Sequence, residues 1–370
     1  MQLLQRIRVR NWKSISEADL RLQPLNVIVG ANGAGKSNLL SLFRLINATF
    51  SRRSGLSQYV GEAGGANDLL HLGAKHSPTA ELELAFDTDT GRTDYAATWA
   101  AASRNSLIYT SEVVRFAREG RAQPQEVDLG AGHPDSRLED AAADDATAQV
   151  CLKLLRSCRL YHFHDTSSNS PLRLSTQVGA NRWLYPDGGN VAAMLFLYQE
   201  RHPAVLLRIE ATLGQILPNF ERFVLSPSPL NEHVIELQWR QHGSDYVFGA
   251  HQLSDGTLRF LALATLLMQP PGDFPLLIAL DEPEIGLHPA AIGLLAEMIH
   301  AASTHCQLVL TSQSVTLLNQ FRPEHIITCN LRAGASQFER LPPGELAAWL
   351  DDYDLGELWE RNILHASPYG

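Results

Sequence analysis

The stretch Gly30-Ala31-Asn32-Gly33-Ala34-Gly35-Lys36-Ser37 constrains this chain more than any other. It fits G-x-x-x-x-G-K-[ST], follows a strand-like run from Leu25 to Val29, and opens a segment in which Leu39, Leu40, Leu42, Phe43 and Ile46 recur at helical spacing. A strand, a glycine-rich turn and a helix together form an anion trap. The glycines let backbone N–H groups turn inward around phosphate oxygens, and the helix N-terminus adds positive potential. In that geometry Lys36 reaches the β- and γ-phosphates of ATP and the Ser37 hydroxyl ligates Mg²⁺, with Asn32, Gly33, Gly35 and Asn38 as further nucleotide contacts. Lysine is scarce here, four of 30 basic residues, so its presence in the loop carries more weight than usual.

A second constellation lies far downstream. Leu276 to Leu280 is an apolar strand ending in Asp281-Glu282-Pro283. Phosphoryl transfer to water needs a metal holder and a group that orients or deprotonates the water. Asp281 suits the first role and Glu282 the second. Successive strand residues point opposite ways, so the turn at Pro283 is expected to bring both to one site. Glu284 is read as half of a surface ion pair. Leu253-Ser254-Asp255-Gly256 begins a helix, with Ser254 as a good N-cap.

The rest of the pattern is α/β. Residues 3–10 alternate as a strand, and a further strand is expected over 18–22. Antiparallel strands are expected over 81–86, 94–100 and 106–114. Between the strands and helix near the N-terminus and those three strands, 51–79 reads as a loop with one short helix. Residues 118–148 read as an exposed loop followed by a solvated helix, and 234–239 as one strand. Helices are predicted over 146–157, 189–200 and 204–216, with a strand over 159–164. From Ser254 onward helices (255–268, 289–302, 314–320) alternate with strands (275–280, 307–311, 325–329). His162 and His164 share one face of a strand; two ligands without a clear third favour a structural pair over a metal site. The aromatic tail around Trp349, Tyr353, Leu358 and Trp359 is expected to pack against the body of the protein.

Composition sets the outer limits. Hydrophobic residues make up 45% and charged residues 19%, which excludes a disordered chain. No apolar run approaches the ~18 residues of a membrane span, and no signal-peptide core is visible, so a cytoplasmic location without membrane contact is expected. Four cysteines without a C-x-x-C pair read as reduced thiols. The net charge of −10 argues against indiscriminate polyanion binding, although a local basic surface could still hold DNA.

The phosphate loop, the L-S-x-G helix and the apolar strand with Asp-Glu-Pro resemble the ABC-type ATPase heads of the SMC and RecF class. The run Asp281 to Pro289, together with Asn11-Trp12-Lys13-Ser14-Ile15 and Asp187 to Ala192, is similar to RecF-like and OLD-like bacterial ATPases. The resemblance implies an ABC-type P-loop ATPase head with an antiparallel β subdomain, a helical insertion and no long coiled coil. Four segments follow: an N-terminal lobe over 1–100, an inserted helical or irregular part over 101–230, a C-terminal lobe over 231–340 and a tail over 341–370. It also implies an ATP-dependent head-to-tail homodimer, in which Ser254, Asp255 and Gly256 of one subunit cap the phosphate held by the other subunit's Lys36.

Departures from the family pattern shape the expected chemistry. L-S-G-G reads L-S-D-G, so Asp255 is expected to point away from phosphate or cap the helix. Gln313 stands where a switch histidine is expected; an amide donates a hydrogen bond but cannot become positively charged, which predicts slow turnover. Asn67 or Asp68 is placed near the Q-loop region. Two functions are carried forward. The first is a DNA-associated ATPase in repair or phage defence, with Arg6, Arg8, Arg10 and Lys13 as the candidate contact surface. The second is a regulatory ATPase switch acting on a separately encoded nuclease or toxin, since the 57 residues after Gln313 are expected to be too few for a fused TOPRIM nuclease.

Overall fold

The computed structural model describes residues 2–51, 55–118, 124–342, 349, 352–361 and 363–364. Strands β1 (Leu3–Trp12) and β2 (Ile15–Arg21) form a hairpin, and β3 (Leu25–Val29) then dives into the interior, buried at every position. Helix α1 (Lys36–Ser51) begins at the lysine of the phosphate loop. The chain continues as an antiparallel run through β4 (Thr79–Thr88), β5 (Gly91–Ala102), β6 (Ser106–Arg118) and β7 (Gln125–Gly130), giving a six-stranded sheet in the order β2-β1-β4-β5-β6-β7. Residues 106–130, expected in part within a helical insertion, thus complete this sheet. The stretch expected to be an exposed loop contributes β7, which pairs with β6.

The second six-stranded sheet carries the chemistry. From one edge to the other it runs Ala335–Arg340, Ile326–Arg332, β3, Gln307–Ser312, Leu277–Asp281 and β8 (Cys158–Tyr161). All neighbours are parallel except the first pair, so β3 and the strands Gln307–Ser312 and Leu277–Asp281 end at the same side of the sheet. That is where ligands bind in open parallel sheets.

Two cores explain the layering. The α1 residues Leu39, Phe43 and Ile46 are buried with β1, β4 and the sheet residues Ile28, Ala279 and Val309, so α1 lies between the two sheets. On the opposite face, Val27, Ile278 and Leu310 pack with the helices Val191–Arg201, Pro203–Ile216, Asp255–Leu267 and Pro289–Ala302. Each such leucine or phenylalanine contributes about 1.5–3 kcal/mol of burial, which fixes the strand ends relative to the loop.

Several expectations are refined. Residues 55–62 and 66–69 hold two short helices where one was expected. The strand read over 234–239 is two strands, Asn231–Ile235 and Gln238–Gln241, in different small sheets. Much of the tail over 341–370 lies outside the described residues. Its helix Leu355–Glu360 buries Leu358 and Trp359, and Gly356 donates its N–H to Asn319 Oδ1 at 2.6 Å, so this part packs on the body as expected. No helix among the described residues is long and apolar enough to cross a membrane. All four cysteines are free and buried.

Candidate nucleotide site

The phosphate loop is shaped by what surrounds it. A Cβ on Gly30 would stand 2.2 Å from the Cys329 carbonyl oxygen, so only glycine allows β3 to run so close to its neighbour. Gly33 and Gly35 have φ of 78° and 109°, the left-handed region that glycine tolerates. Behind the loop runs a chain of hydrogen bonds. Asn38 Nδ2 donates to Ser14 Oγ at 2.6 Å, Ser14 and Ser336 share a 2.6 Å bond, and Ser336 Oγ donates to the Ala34 carbonyl at 2.6 Å. Because Ser336 gives its proton to Ala34, Ser14 is the donor in the middle bond. The Asn38 side chain therefore braces the loop from behind. Asn32, Gly33 and Ser37 are exposed along it.

Lys36 is 5% exposed, and its Nζ donates to the carbonyls of Gly30 at 2.7 Å and Ala31 at 3.0 Å. Burial lowers its pKa, opposed by the negative field of Glu282, Asp281 and Glu284. Across from it, Ser37 Oγ lies 3.4 Å from Asp281 Oδ1. The same carboxylate oxygen accepts from Thr311 Oγ1 at 2.6 Å, and Thr311 Oγ1 accepts from the Glu282 N–H at 3.0 Å. A serine hydroxyl beside an ionisable carboxylate is a hard-oxygen donor pair that fits Mg²⁺. Among the described residues the Lys36 ammonium bonds to loop carbonyls alone, an arrangement that fits exchange of those carbonyls for phosphate oxygens.

Glu282 reaches this site by a route different from the one expected. Its own φ is 43°, a left-handed conformation that is costly for a residue with a Cβ, by about 1–3 kcal/mol. Pro283 follows the bend rather than making it. The Gln313 amide donates a short hydrogen bond to Glu282 Oε1, so the sequence-predicted pair Glu282 and Gln313 is in direct contact.

Glu284 corrects the expectation of a surface ion pair. It is 7% exposed; its Oε1 accepts from Ser312 Oγ at 2.5 Å and from the Gln313 N–H at 3.1 Å. Among the described residues its Oε2 is buried without a hydrogen-bond partner, and burial raises its pKa from the ordinary carboxylate value. Glu284, Thr311, Ser14 and Ser336 are the site residues that sequence reasoning missed. The signal available was a pair of hydroxyls, Thr311-Ser312, following the apolar run Leu308 to Leu310.

Ser254 and Gly256 lie on the other side of the acidic turn. Ser254 Oγ caps its helix by accepting from Thr257 N–H at 3.2 Å. Asp255 points to Arg173, whose Nη2 donates to it at 2.7 Å, in keeping with the expectation that it turns aside. A Cβ on Gly256 would meet the Gly286 carbonyl at 2.5 Å, and Arg259 donates to the carbonyls of Ile285 at 2.8 Å and His164 at 2.7 Å. The helix is therefore braced against the turn after the acidic strand. Among the described residues, Ser254 and Gly256 make no hydrogen bond to the phosphate loop of their own chain. His162 and His164 stack at 4.1 Å, and His164 Nε2 donates to the Asp281 carbonyl at 2.8 Å, which makes them supports of the site. Among the described residues no cluster of three or more His, Cys, Asp or Glu could hold a metal.

Asn67 and Asp68 sit on a short helix, where Asn67 Oδ1 accepts from Ala74 N–H at 3.0 Å. Arg6, Arg8 and Arg10, the candidate DNA contacts, are engaged by acids on neighbouring strands: Arg6 and Arg8 with Asp19, Arg8 with Glu83, and Arg10 with Glu17 and Glu81.

A family model described as "AAA domain, putative AbiEii toxin, Type IV TA system" matches residues 25–319, from β3 to just beyond Gln313. No curated protein matches the chain. Among solved structures, an SMC head bound to the C-terminal winged-helix domain of ScpA is similar over 94% of this chain and 99% of its own, at 16% identity and a TM-score of 0.60. The Pyrococcus furiosus SMC head with an extended coiled coil, bound to the C-terminal domain of ScpA, is similar over 95% and 99%, at 15% identity and a TM-score of 0.54. These likenesses establish the SMC-head ATPase fold that the motifs led us to expect.

Proposed function

We infer that this chain, which belongs to the AAA-domain family it matches over residues 25–319, is a cytoplasmic, magnesium-dependent ATPase that pairs head to tail on ATP. The observation that carries this reading is the convergence of Lys36, Ser37, Asp281, Glu282 and Gln313 at the ends of neighbouring parallel strands. Lys36 and the loop N–H groups would hold the phosphates, while Ser37 and Asp281 would hold magnesium, which supplies positive charge against the phosphate oxygens. Glu282 accepts the proton of the attacking water, and Gln313 fixes the orientation of that carboxylate. Ser254 and Gly256, uncommitted to their own phosphate loop, are the surface offered to the second copy's nucleotide.

The test is sedimentation of wild type and Glu282→Gln with ATP and Mg²⁺, read together with phosphate release. The variant should double in mass on ATP and lose about a hundredfold or more of the hydrolysis rate. An unchanged rate in Glu282→Gln would remove Glu282 from the mechanism.

A second reading concerns what the cycle drives. In the structure Glu282 is held by Gln313, an amide that cannot become charged, which supports a slow resting enzyme awaiting a partner. The role this slow cycle suits is a switch controlling a separately encoded effector, a nuclease or a toxin. Direct DNA association, in repair or phage defence, would need a basic surface other than Arg6, Arg8 and Arg10, which their acidic neighbours neutralise.

A further inference from the structure

Beyond the nucleotide site, a long recess follows the free edge of the parallel sheet. One part, of 990 Å³, lies between the helix Ala146–Arg156, strand β8 and the segment 182–186. A second part, of 510 Å³, continues from it, since Asn47 and Pro186 line both. The charge in it is mostly positive, six basic side chains against Glu139 and Glu62. Lys153, Arg156, Arg159 and Arg182 line the larger part against one acid, Glu139, which pairs with Arg156 at 2.7 Å. Lys13 and Arg44 extend the basic lining into the smaller part, so two of the chain's four lysines face one recess in a protein of net charge −10. Among the described residues, Lys13, Arg44, Lys153, Arg159 and Arg182 form no ion pair.

The recess also carries a built planar element. Trp183 has the guanidinium carbons of Arg159 and Arg182 at 4.9 Å and 4.8 Å from its ring centroid, and it remains 39% exposed. Both cations lie within cation–π range of the indole, and Leu152 and Leu184 line the same part of the recess. The strand edge itself is closed. Asn47 donates to the Cys158 carbonyl at 2.5 Å and accepts from the Leu160 N–H at 2.9 Å, taking the backbone groups that an added peptide strand would need. Recognition there must come from side chains, and these present positive charge beside an exposed indole.

We propose that this recess binds a short single-stranded segment of nucleic acid, with its phosphates on Lys153, Arg159 and Arg182 and its bases against Trp183 and the two arginines beside it. A concave site of this size takes unstacked nucleotides. A duplex keeps its bases stacked inside and offers the recess only its backbone. The proposal extends the nucleic-acid reading above and uses no step of ATP hydrolysis.

The test is therefore run without ATP, by fluorescence anisotropy of the full chain with a labelled single-stranded oligonucleotide of about a dozen nucleotides. Saturable binding is expected, with log affinity falling against log salt at a slope of roughly −2 to −3, about 0.7 for each of three or four phosphates. Arg182→Glu should weaken binding by about tenfold or more, and Trp183→Ala by a similar factor, without changing the melting temperature, since both side chains are exposed. Wild-type affinity in both variants, or no binding at low salt, would overturn the proposal. So would polyglutamate or a duplex of the same length competing as well as the single strand. Lys36→Ala should bind like wild type; loss of binding there would put the strand on the phosphate loop and defeat the assignment.

Discussion

Glu284 shows how one buried oxygen can report on a whole site. Its carboxylate holds Ser312 and the backbone of Gln313, and Gln313 in turn holds Glu282, so in the proposed reaction Glu284 would act as a positioning residue at one remove from the reacting atoms. Burial raises its pKa from an ordinary 4.5, so the folded protein favours the protonated form. The sign follows directly: ionising Glu284 costs folding energy, so its contribution to stability falls as pH rises above 4.5 through the raised value. Glu284→Gln should therefore gain stability relative to wild type at neutral pH, with the gain vanishing below 4.5 in denaturant titrations across pH. A constant difference at every pH would show that Glu284 is not the titrating group. The motif Asp-Glu-Pro-Glu made Asp281 and Glu282 legible from chemistry alone. Glu284 was not legible, because nothing in its immediate neighbours announces that the chain folds back over it.

At the scale of elements, the phosphate loop was readable down to its ends, while the parts that brace it were not. The strand Ala335–Arg340, which supplies Ser336, reads Ala-Ser-Gln-Phe-Glu-Arg and lacks the apolar alternation that would mark it; pairing with Ile326–Arg332 makes it a strand. β7 is hidden for the same reason, a polar edge strand defined by its neighbour. The left-handed turn at Glu282 is likewise a tertiary effect, set by the Thr311 hydroxyl receiving its N–H. The bracing predicts a contrast between two glycines of one loop. At Gly35 an added Cβ would lie 1.9 Å from Ser336 Oγ, at φ 109°; at Gly33 nothing stands within 4 Å, at φ 78°. Gly33→Ala should cost about 1 kcal/mol of unfolding free energy, and Gly35→Ala more than about 2 kcal/mol with loss of nucleotide binding. Equal losses in chemical denaturation would mean that Ser14 and Ser336 yield freely and do not brace the loop.

For the whole molecule, two sheets with α1 between them bring a loop near residue 30 to a turn near residue 282, and the alternation of strands and helices foretold that plan. Arg6, Arg8 and Arg10 show the limit of reading charge along a strand. Their partners, Asp19, Glu17, Glu81 and Glu83, come from adjacent strands whose register no linear count supplies. The proposed pairing makes a further prediction at this scale. Mixing wild type with an excess of Glu282→Gln should depress the wild-type rate of phosphate release well below the value set by dilution, because mixed pairs form. Strict proportionality to the wild-type fraction would mean that each chain works alone.

Gly256 against Gly286, with Arg259 tying the same helix to Ile285 and His164, has a consequence for timing. The surface that would sense the second copy's phosphate and the carboxylates that would act on a chain's own nucleotide are parts of one stiff bracket. In a head-to-tail pair, departure of phosphate from one pocket would unload the bracket belonging to the other. The two pockets would then fire in a linked order, like the alternating teeth of an escapement, and a delay imposed on either would be felt by both.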